Sequence, residues 1–232
     1  MKMKTIESIL TKSALSALIF VFFSCQNKAE NQSKLAAIKY LALGDSYTIG
    51  QGVEKNKNWP IQLTQKLGEN GFSIEKSDII AKTGWETTDL LKALADSTFE
   101  DYNLVSLLIG VNNQYANQPF GTYTTEFDLL LRKAIKLVGS DRVFVVSIPD
   151  YGVTPFGKSK EKKIALELDA YNDYASTKCQ SLNVPFINIT ELSRRLGDTN
   201  NALATDSLHP SGFQYRAWVE KILPTVLEIL KE

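Results

Sequence analysis

Short apolar runs alternate with amphipathic stretches along most of the chain, from about residue 38 to the end. Five of the runs are rich in aliphatic and β-branched residues, which is typical of buried strands in a parallel sheet. The predicted strands are 38–43, 72–81, 104–109, 143–148 and 184–189. Apolar positions at helical spacing predict helices at 59–67, 87–95, 125–138, 161–182 and 212–231.

This alternation of strands and helices predicts an α/β fold with a central parallel sheet and helices on both of its faces. In sheets of this kind, ligands bind beyond the carboxyl ends of the strands. The residues that carry chemistry are therefore expected directly after the predicted strands.

The N-terminal segment has a different pattern from the rest of the chain. A basic start with three lysines leads into an uncharged apolar run at 14–23. A helix needs about 20 apolar residues to cross a bilayer, so this run fits the hydrophobic region of a signal peptide instead. Ser24 and Cys25 follow at once, and residues 26–34 are polar.

The junction at Cys25 resembles a bacterial lipobox, in which the Cys is lipidated and becomes the first residue of the mature protein. Phe22 departs from that pattern, because lipoboxes usually carry Leu or a similar aliphatic residue there. The resemblance implies a signal peptide at 1–24, a polar linker at 25–36 and a folded domain at 37–232. It also implies an exported protein of the cell envelope, anchored to the membrane through Cys25. An ordinary signal peptide, or a short anchor that is never cleaved, is the alternative.

Charge excludes one class of partner. The chain has 26 basic and 26 acidic side chains; without the predicted signal segment 23 and 25 remain, a net charge of −2. No block of basic residues stands out, which argues against nucleic acid as a partner. If Cys25 is lipidated, Cys179 is the only thiol left, and its apolar surroundings predict a buried structural cysteine.

Two segments near opposite ends of the predicted domain hold the parts of a nucleophilic site. Ser46 lies in a Gly-Asp-Ser turn after the first predicted strand, where helix N–H groups can stabilise an oxyanion. A serine hydroxyl needs a base, and histidine is the usual base near neutral pH. His209 is the only histidine in the chain, and Asp206 can hold its imidazole in the required tautomer. Taken alone, the first segment is also a plausible turn or helix N-cap, and the second a loop capped by Ser211.

Two further loops supply candidate hydrogen-bond donors. Gly84 follows the second predicted strand, and a glycine there permits close approach of its backbone N–H to a developing oxyanion. Asn112 follows the third predicted strand and offers its side-chain amide. A donor of this kind contributes about 2.7–4 kcal/mol of transition-state stabilisation. Each signal is weak by itself, because Gly and Asn are common in loops.

Together the four segments resemble the GDSL/SGNH hydrolase family, which is named for Ser, Gly, Asn and His residues in four blocks. The resemblance runs from about Tyr40 to the end of the last predicted helix. Two positions depart from the family pattern: Tyr47 stands where many members have Leu, and Asn113 where the third block usually has Asp. The second departure leaves the donor at Asn112 intact but changes whatever contacts the Asp normally makes.

The resemblance implies a flavodoxin-like three-layer α/β/α sandwich and no metal or organic cofactor. It implies that Ser46 attacks an ester carbonyl, that His209 acts as its base and that Asp206 orients His209. The N–H groups of Ser46 and Gly84 and the amide of Asn112 would then form the oxyanion hole.

The expected substrate is a small-molecule or glycan O-acyl ester, and the expected enzyme is a carbohydrate O-deacetylase or short-chain esterase. A lysophospholipase or thioesterase, or an acyltransferase, would use the same residues. A non-catalytic envelope binding protein with this fold is the alternative from another class. No feature of the sequence indicates an oligomeric state.

The loop after the fourth predicted strand is placed to overhang this site. Tyr151 and Phe156 in that loop either line an acyl or sugar pocket or pack onto the domain as structural residues. Gln114 lies near the site in sequence with no assigned role. Trp59 and Trp218, at helical core spacing, are expected in the core.

Overall fold

The computed structural model describes residues 37–95, 99–199 and 201–231. Its strands are β1 (Ile38–Gly44), β2 (Ile74–Ala81), β3 (Leu104–Leu108), β4 (Val143–Val146) and β5 (Phe186–Ile187). All neighbouring pairs are parallel, and the order across the sheet is β2–β1–β3–β4–β5. That order is the flavodoxin-like arrangement, which confirms the predicted fold class.

Helices cover the sheet on both faces. In the described residues they are α1 (Ser46–Ile49), α2 (Trp59–Glu69), α3 (Thr87–Ala93), α4 (Val111–Tyr115), α5 (Phe120–Val138), α6 (Glu161–Ser181), α7 (Thr190–Leu196) and α8 (Gly212–Ile229). α2 packs against α8, and α5 packs against both α3 and α6. Right-handed crossovers between parallel strands place these two groups on opposite faces, which gives the predicted three-layer sandwich.

The core contains the two tryptophans that the helical spacing places there. Trp59 in α2 and Trp218 in α8 are fully buried, which confirms the prediction. Phe144 on β4 lies edge-on to Trp59 and stacks on Tyr40 of β1, with ring centroids 6.4 and 6.3 Å apart. The α2–α8 layer is thus joined to the centre of the sheet through large aromatic side chains.

The direction of winding reverses at β1, because β2 lies on one side of it and β3, β4 and β5 lie on the other. The crevice between the carboxyl ends of β1 and β3 is therefore the topological switch point, where ligands bind in such folds. Gly44 at the end of β1 pairs with Leu108 at the end of β3. α1 and α4 begin just beyond these two residues, at Ser46 and Val111.

The predicted elements differ from the observed ones mainly at α5, β5 and the short helices. α5 begins at Phe120 and not at residue 125, because Pro119 fixes the entry to its first turn and Tyr123 is already buried. β5 is shorter than the predicted 184–189, since Pro185 has no N–H and Ile189 already begins the turn into α7. The four to seven residues of α1, α4 and α7 are too few for helical periodicity to indicate them.

Of the two cysteines in the chain, only Cys179 lies in the described residues. Cys179 is fully buried in α6, and burial raises the pKa of its thiol to about 12, which confirms the predicted structural cysteine. Cys25, the predicted signal peptide before it and the linker up to residue 36 lie outside the described residues and stay predictions. Among the described residues, no helix is long and apolar enough to cross a bilayer.

Candidate active site

Ser46 is the first residue of α1, directly after the tight turn that ends β1. The turn needs glycine at position 44, because a Cβ there would lie 2.4 Å from the carbonyl oxygen of Leu108 on the neighbouring strand. Asp45 caps the helix, with Oδ1 accepting the N–H of Tyr47 at 3.0 Å. Because Ser46 opens the helix, its backbone N–H has no acceptor within the helix and is available to an anion.

His209 and Asp206 form a hydrogen-bonded pair in the loop before α8. Nδ1 of His209 lies 2.7 Å from Oδ2 of Asp206, and Oδ1 of Asp206 accepts the backbone N–H groups of Leu208 and His209 at 3.0 and 2.9 Å. Burial alone would raise the pKa of Asp206. These hydrogen bonds outweigh the effect of burial and hold the pKa below its usual value, and the bond to the His209 ring contributes most among them. Since an ionised carboxylate only accepts, Nδ1 carries the ring proton and Nε2 is left free to act as a base.

The loop that carries this pair is closed by its own backbone. Leu203 and Pro210 form an antiparallel bridge, and Ala204 N–H donates to the carbonyl of His209 at 2.8 Å. Ser211 then caps α8, its Oγ accepting the N–H of Gln214 at 3.3 Å. The loop therefore serves as a helix cap, as the sequence allowed, and also sets the position of His209.

Gly84 and Asn112 lie at the carboxyl edge of the sheet, after β2 and β3. Gly84 has φ +84°, and a Cβ built on it would meet no atom within 4 Å. The positive φ therefore requires glycine at this position, and the predicted donation from its N–H to an oxyanion stays a prediction. Asn112 Nδ2 donates to the carbonyl of Trp85 at 2.9 Å, which ties the two segments together and leaves the second amide hydrogen free.

These residues converge on one pocket of about 200 Å³. Ser46, Gly84, Asn112 and His209 all line it, and Asp206 lies behind His209. Its remaining walls are mostly apolar or aromatic, and they are formed by Tyr47, Thr83, Val111, Tyr115, Tyr151, Phe156 and Leu208. In the described part of the chain, no cluster of three or more His, Cys, Asp or Glu side chains could hold a metal ion.

A family model for GDSL-like lipases and acylhydrolases matches residues 42–217, a segment that contains every residue just described. The chain belongs to the GDSL-like lipase/acylhydrolase family. It is therefore an enzyme of the esterase type. None of the curated proteins matches this sequence significantly.

Solved structures share this fold at low sequence identity. TesA has a TM-score of 0.66 at 16% identity, over 82% of this chain and 99% of that chain. A family 3 carbohydrate esterase from Clostridium thermocellum has a TM-score of 0.64 at 20% identity, over 84% and 98%. An acetyl xylan esterase from Geobacillus stearothermophilus has a TM-score of 0.62 at 18% identity, over 85% and 96%. At these identities the likeness concerns the fold alone.

Asn113, which replaces the usual Asp of the third GDSL block, is fully buried and has its own set of partners. Its Oδ1 accepts the N–H of Thr87 at 3.0 Å, and its Nδ2 donates to the hydroxyl of Thr87 at 2.7 Å. That hydroxyl donates in turn to Glu126 at 2.5 Å. Asn113 therefore fixes the start of α3 against α4, and so holds the Gly84 segment beside Asn112.

Tyr47, the other departure from the GDSL pattern, is a buried packing residue beside His209. Its ring lies 5.6 Å from the His209 ring and 6.2 Å from that of Trp218, measured between centroids. The tyrosine thus fills the space between the loop that carries His209 and α8. It is one of the pocket residues to which sequence reasoning assigned no role.

The loop after β4 agrees in part with both interpretations made from the sequence, namely that its aromatic residues line a pocket or pack onto the domain. Tyr151 and Phe156 line the pocket, as a substrate-binding loop would, but Tyr151 is buried while Phe156 is 51% exposed. Sequence reasoning missed Tyr115, which follows Asn112 by one helical turn and is 57% exposed. No local pattern indicates it, because the five residues of α4 are too few for helical periodicity to show.

Proposed function

We propose that the protein cleaves short O-acyl esters of carbohydrates, with Ser46 as nucleophile, His209 as base and Asp206 as the residue that orients the base. One observation carries the proposal. Ser46, Gly84, Asn112 and His209 line a single pocket, and His209 is hydrogen-bonded to Asp206 at 2.7 Å. A turn, a cap or a binding loop has no need for these five residues to converge.

In the proposed reaction, Ser46 Oγ attacks the carbonyl carbon of the ester while Nε2 of His209 takes the hydroxyl proton. The carbonyl π electrons move to its oxygen and form a tetrahedral oxyanion. When that intermediate collapses, the alkoxide leaves, takes the proton from His209 and departs as the alcohol. Water then attacks the acyl-enzyme and gives a proton to His209, and the second collapse returns that proton to Ser46 Oγ and releases the carboxylic acid.

In this proposal, three donors bind the oxyanion. They are the N–H of Ser46 at the start of α1, the N–H of Gly84 and the second amide hydrogen of Asn112. Because Asn112 is already bonded to the Trp85 carbonyl, its amide is held in place before substrate arrives. Donors fixed in advance cost no reorganisation during the reaction, which is why they stabilise a developing charge well.

The pocket supports a short acyl group. At about 200 Å³ it is smaller than the range of roughly 300–1,000 Å³ typical of drug-sized ligands. An ester group with an acetyl chain suits that space, whereas the long chain of a lysophospholipid or fatty thioester needs a longer apolar channel. Two of the structural neighbours are an acetyl xylan esterase and a carbohydrate esterase, in line with this choice. The predicted lipid anchor at Cys25 would hold the enzyme at the cell envelope.

The test is hydrolysis of p-nitrophenyl esters from acetate to octanoate, together with labelling by a fluorophosphonate probe. We expect acetate to be the best substrate, and Ser46→Ala to abolish labelling and lower kcat by at least about 10⁴-fold. Ser181→Ala, which removes an exposed serine at the end of α6, is the matched control and should change neither. A folded protein that shows neither hydrolysis nor labelling would instead be a binding protein, and a preference for octanoate would point to lipid esters.

A further inference from the structure

A second pocket, of about 190 Å³, lies beside the catalytic pocket. The two pockets share Tyr115, Tyr151 and Phe156, which we call the aromatic wall. The three rings contact one another, with centroid separations of 6.0 to 6.3 Å. The aromatic wall is therefore a single surface with the catalytic pocket on one side and the second pocket on the other.

Tyr151 is the fixed part of the aromatic wall. Its hydroxyl donates to Gln114 Oε1 at 2.9 Å, and Gln114 Nε2 donates to Glu167 at 2.7 Å. The preceding residue, Asp150, is buried; it accepts the N–H of Gly152 at 2.7 Å and pairs with Arg194 at 2.8 Å. The backbone and the hydroxyl of Tyr151 are thus both held, so this part of the wall is fixed before a ligand arrives.

The other two rings of the aromatic wall leave much of their surface in solvent. Tyr115 is 57% exposed and Phe156 is 51% exposed. Aromatic rings carry a large apolar area, and adjacent exposed rings at the edge of a catalytic pocket mark a surface on which a ligand can pack. Their place between the two pockets makes them available to a substrate that spans both.

The second pocket is polar, in contrast to the catalytic one. Beyond the aromatic wall and Ile164, its lining residues are Gln114, Asn117, Gly157, Ser159, Lys160 and Lys163. Lys163 is paired with Glu167 at 3.6 Å, whereas Lys160 makes no ion pair with any other described residue. The pocket therefore offers hydrogen-bonding groups and one uncompensated positive charge beside two exposed rings.

We propose that the second pocket binds the alcohol side of the substrate, a sugar ring that stacks on Tyr115 and Phe156 and carries an anionic group near Lys160. The inference rests on the proposed function, since it assigns the short acyl group to the catalytic pocket and the sugar to the second pocket. A hydroxyl-bearing ring satisfies the polar lining, and its carbon face covers the exposed aromatics. An alkyl alcohol would leave the polar lining and the charge without partners.

The test compares kcat/KM for three acetyl esters: ethyl acetate, a mono-O-acetylated methyl glucoside and the corresponding methyl glucuronoside. Ethyl acetate has no sugar ring to place in the second pocket. We expect the glucuronoside to be preferred over the glucoside by about threefold, the size of an exposed ion pair, and Lys160→Gln to remove that preference. Tyr115→Ala should lower kcat/KM for both sugar esters relative to ethyl acetate by about tenfold, mainly through KM.

Lys158→Gln is the matched control. Lys158 shares the 3₁₀ helix Lys158–Lys160 with Lys160, but it pairs with Glu161 at 2.9 Å and does not line the pocket. It should retain the preference for the glucuronoside. The inference is overturned if Lys160→Gln keeps that preference, or if Tyr115→Ala changes all three esters by the same factor.

A binding measurement separates this inference from the proposed function. Calorimetric titration of the Ser46→Ala variant with methyl glucuronoside involves no turnover. Binding that weakens on adding Lys160→Gln supports the second pocket even if no ester is hydrolysed. Absence of binding, in a protein that hydrolyses ethyl acetate through Ser46, would leave the catalytic proposal standing and refute the second pocket.

Discussion

Asp45, in the turn between β1 and α1, and Asp206, in the loop before α8, each accept a hydrogen bond from the backbone N–H two residues later. Beyond this shared local motif the two carboxyl groups differ. Asp45 is fully buried, its Oδ2 has no hydrogen-bond partner among the described residues, and burial raises its pKa to about 7. Asp206 is partly exposed and accepts three hydrogen bonds, and despite some burial its pKa lies below the usual value.

The comparison shows that surroundings, and not the local turn, decide how each carboxyl behaves. Asp206 contributes stability that is present above its unfolded pKa and is lost as the pH falls through its lower folded pKa. Asp45 changes stability with pH in the opposite direction, because the folded protein binds its proton more tightly than the unfolded chain does. Its presence therefore weakens the fold as the pH rises from about 4 towards 7. Ser46, beside Asp45, is positioned by packing at an electrostatic cost, and His209 is positioned by hydrogen bonds.

The largest effect we expect comes from Asp206→Asn. The amide group opposite Nδ1 would favour the histidine tautomer with its proton on Nε2, which cannot accept a proton from Ser46. We expect kcat to fall by about 10³–10⁴-fold, with little change in Tm because Asn still accepts the loop N–H groups. Steady-state hydrolysis of p-nitrophenyl acetate measures this, with the exposed Asp198→Asn as a control. A loss of less than tenfold would mean that Asp206 does not orient the base.

Asp45→Asn should have a smaller effect, and it should change stability and not catalysis. The amide keeps an acceptor for Tyr47 N–H and has no charge to bury. A pKa shift from 3.8 to about 7 corresponds to roughly 4 kcal/mol. The free energy of unfolding of the variant should therefore rise relative to wild type by up to that amount as the pH increases from about 4 to about 8. Urea unfolding at several pH values measures it. Equal pH dependence in both proteins would show that Asp45 is not the buried acid that weakens the fold.

Much of the fold and the placement of the site could be predicted because they depend on repeating patterns. Buried β-branched runs identify strands, and the carboxyl ends of neighbouring parallel strands must meet at one edge. That is enough to bring Ser46, Gly84 and Asn112 together. The spacing of Asp206 and His209 in one loop accounts for their contact.

The remaining features depend on tertiary packing that no local pattern encodes. α4 is only five residues long, so neither the helix nor the exposure of Tyr115 on it has a periodic signal. The raised pKa of Asp45 results from complete burial of its turn, which the residues of the turn do not determine by themselves. The contacts of Asn113 likewise depend on where α3 and α5 lie relative to α4.

Asn113 extends the comparison to a third position, one where the family usually has a carboxylate and this chain has an amide. Its Nδ2 donates to the Thr87 hydroxyl at 2.7 Å, and that hydroxyl gives its single proton to Glu126 at 2.5 Å. The chain of donors therefore runs in one direction, from the amide to the carboxylate. An aspartate at position 113 would compete with Glu126 for the one Thr87 proton.

We therefore expect Asn113→Asp, although it restores the residue usual in the family, to lower the free energy of unfolding at pH 7 by about 1–3 kcal/mol, the cost of one unsatisfied buried polar group. Urea unfolding measures the loss.

Adding Glu126→Gln should recover most of this loss, because the introduced glutamine amide can donate to Thr87 Oγ1 and release the hydroxyl proton for the introduced aspartate. Glu126→Gln alone should not stabilise the protein, since the side-chain amides at both positions would then donate to one hydroxyl. If the double variant is no more stable than Asn113→Asp, the two positions are not coupled through Thr87. In that case the asparagine is tolerated at this site but is not required by its partners.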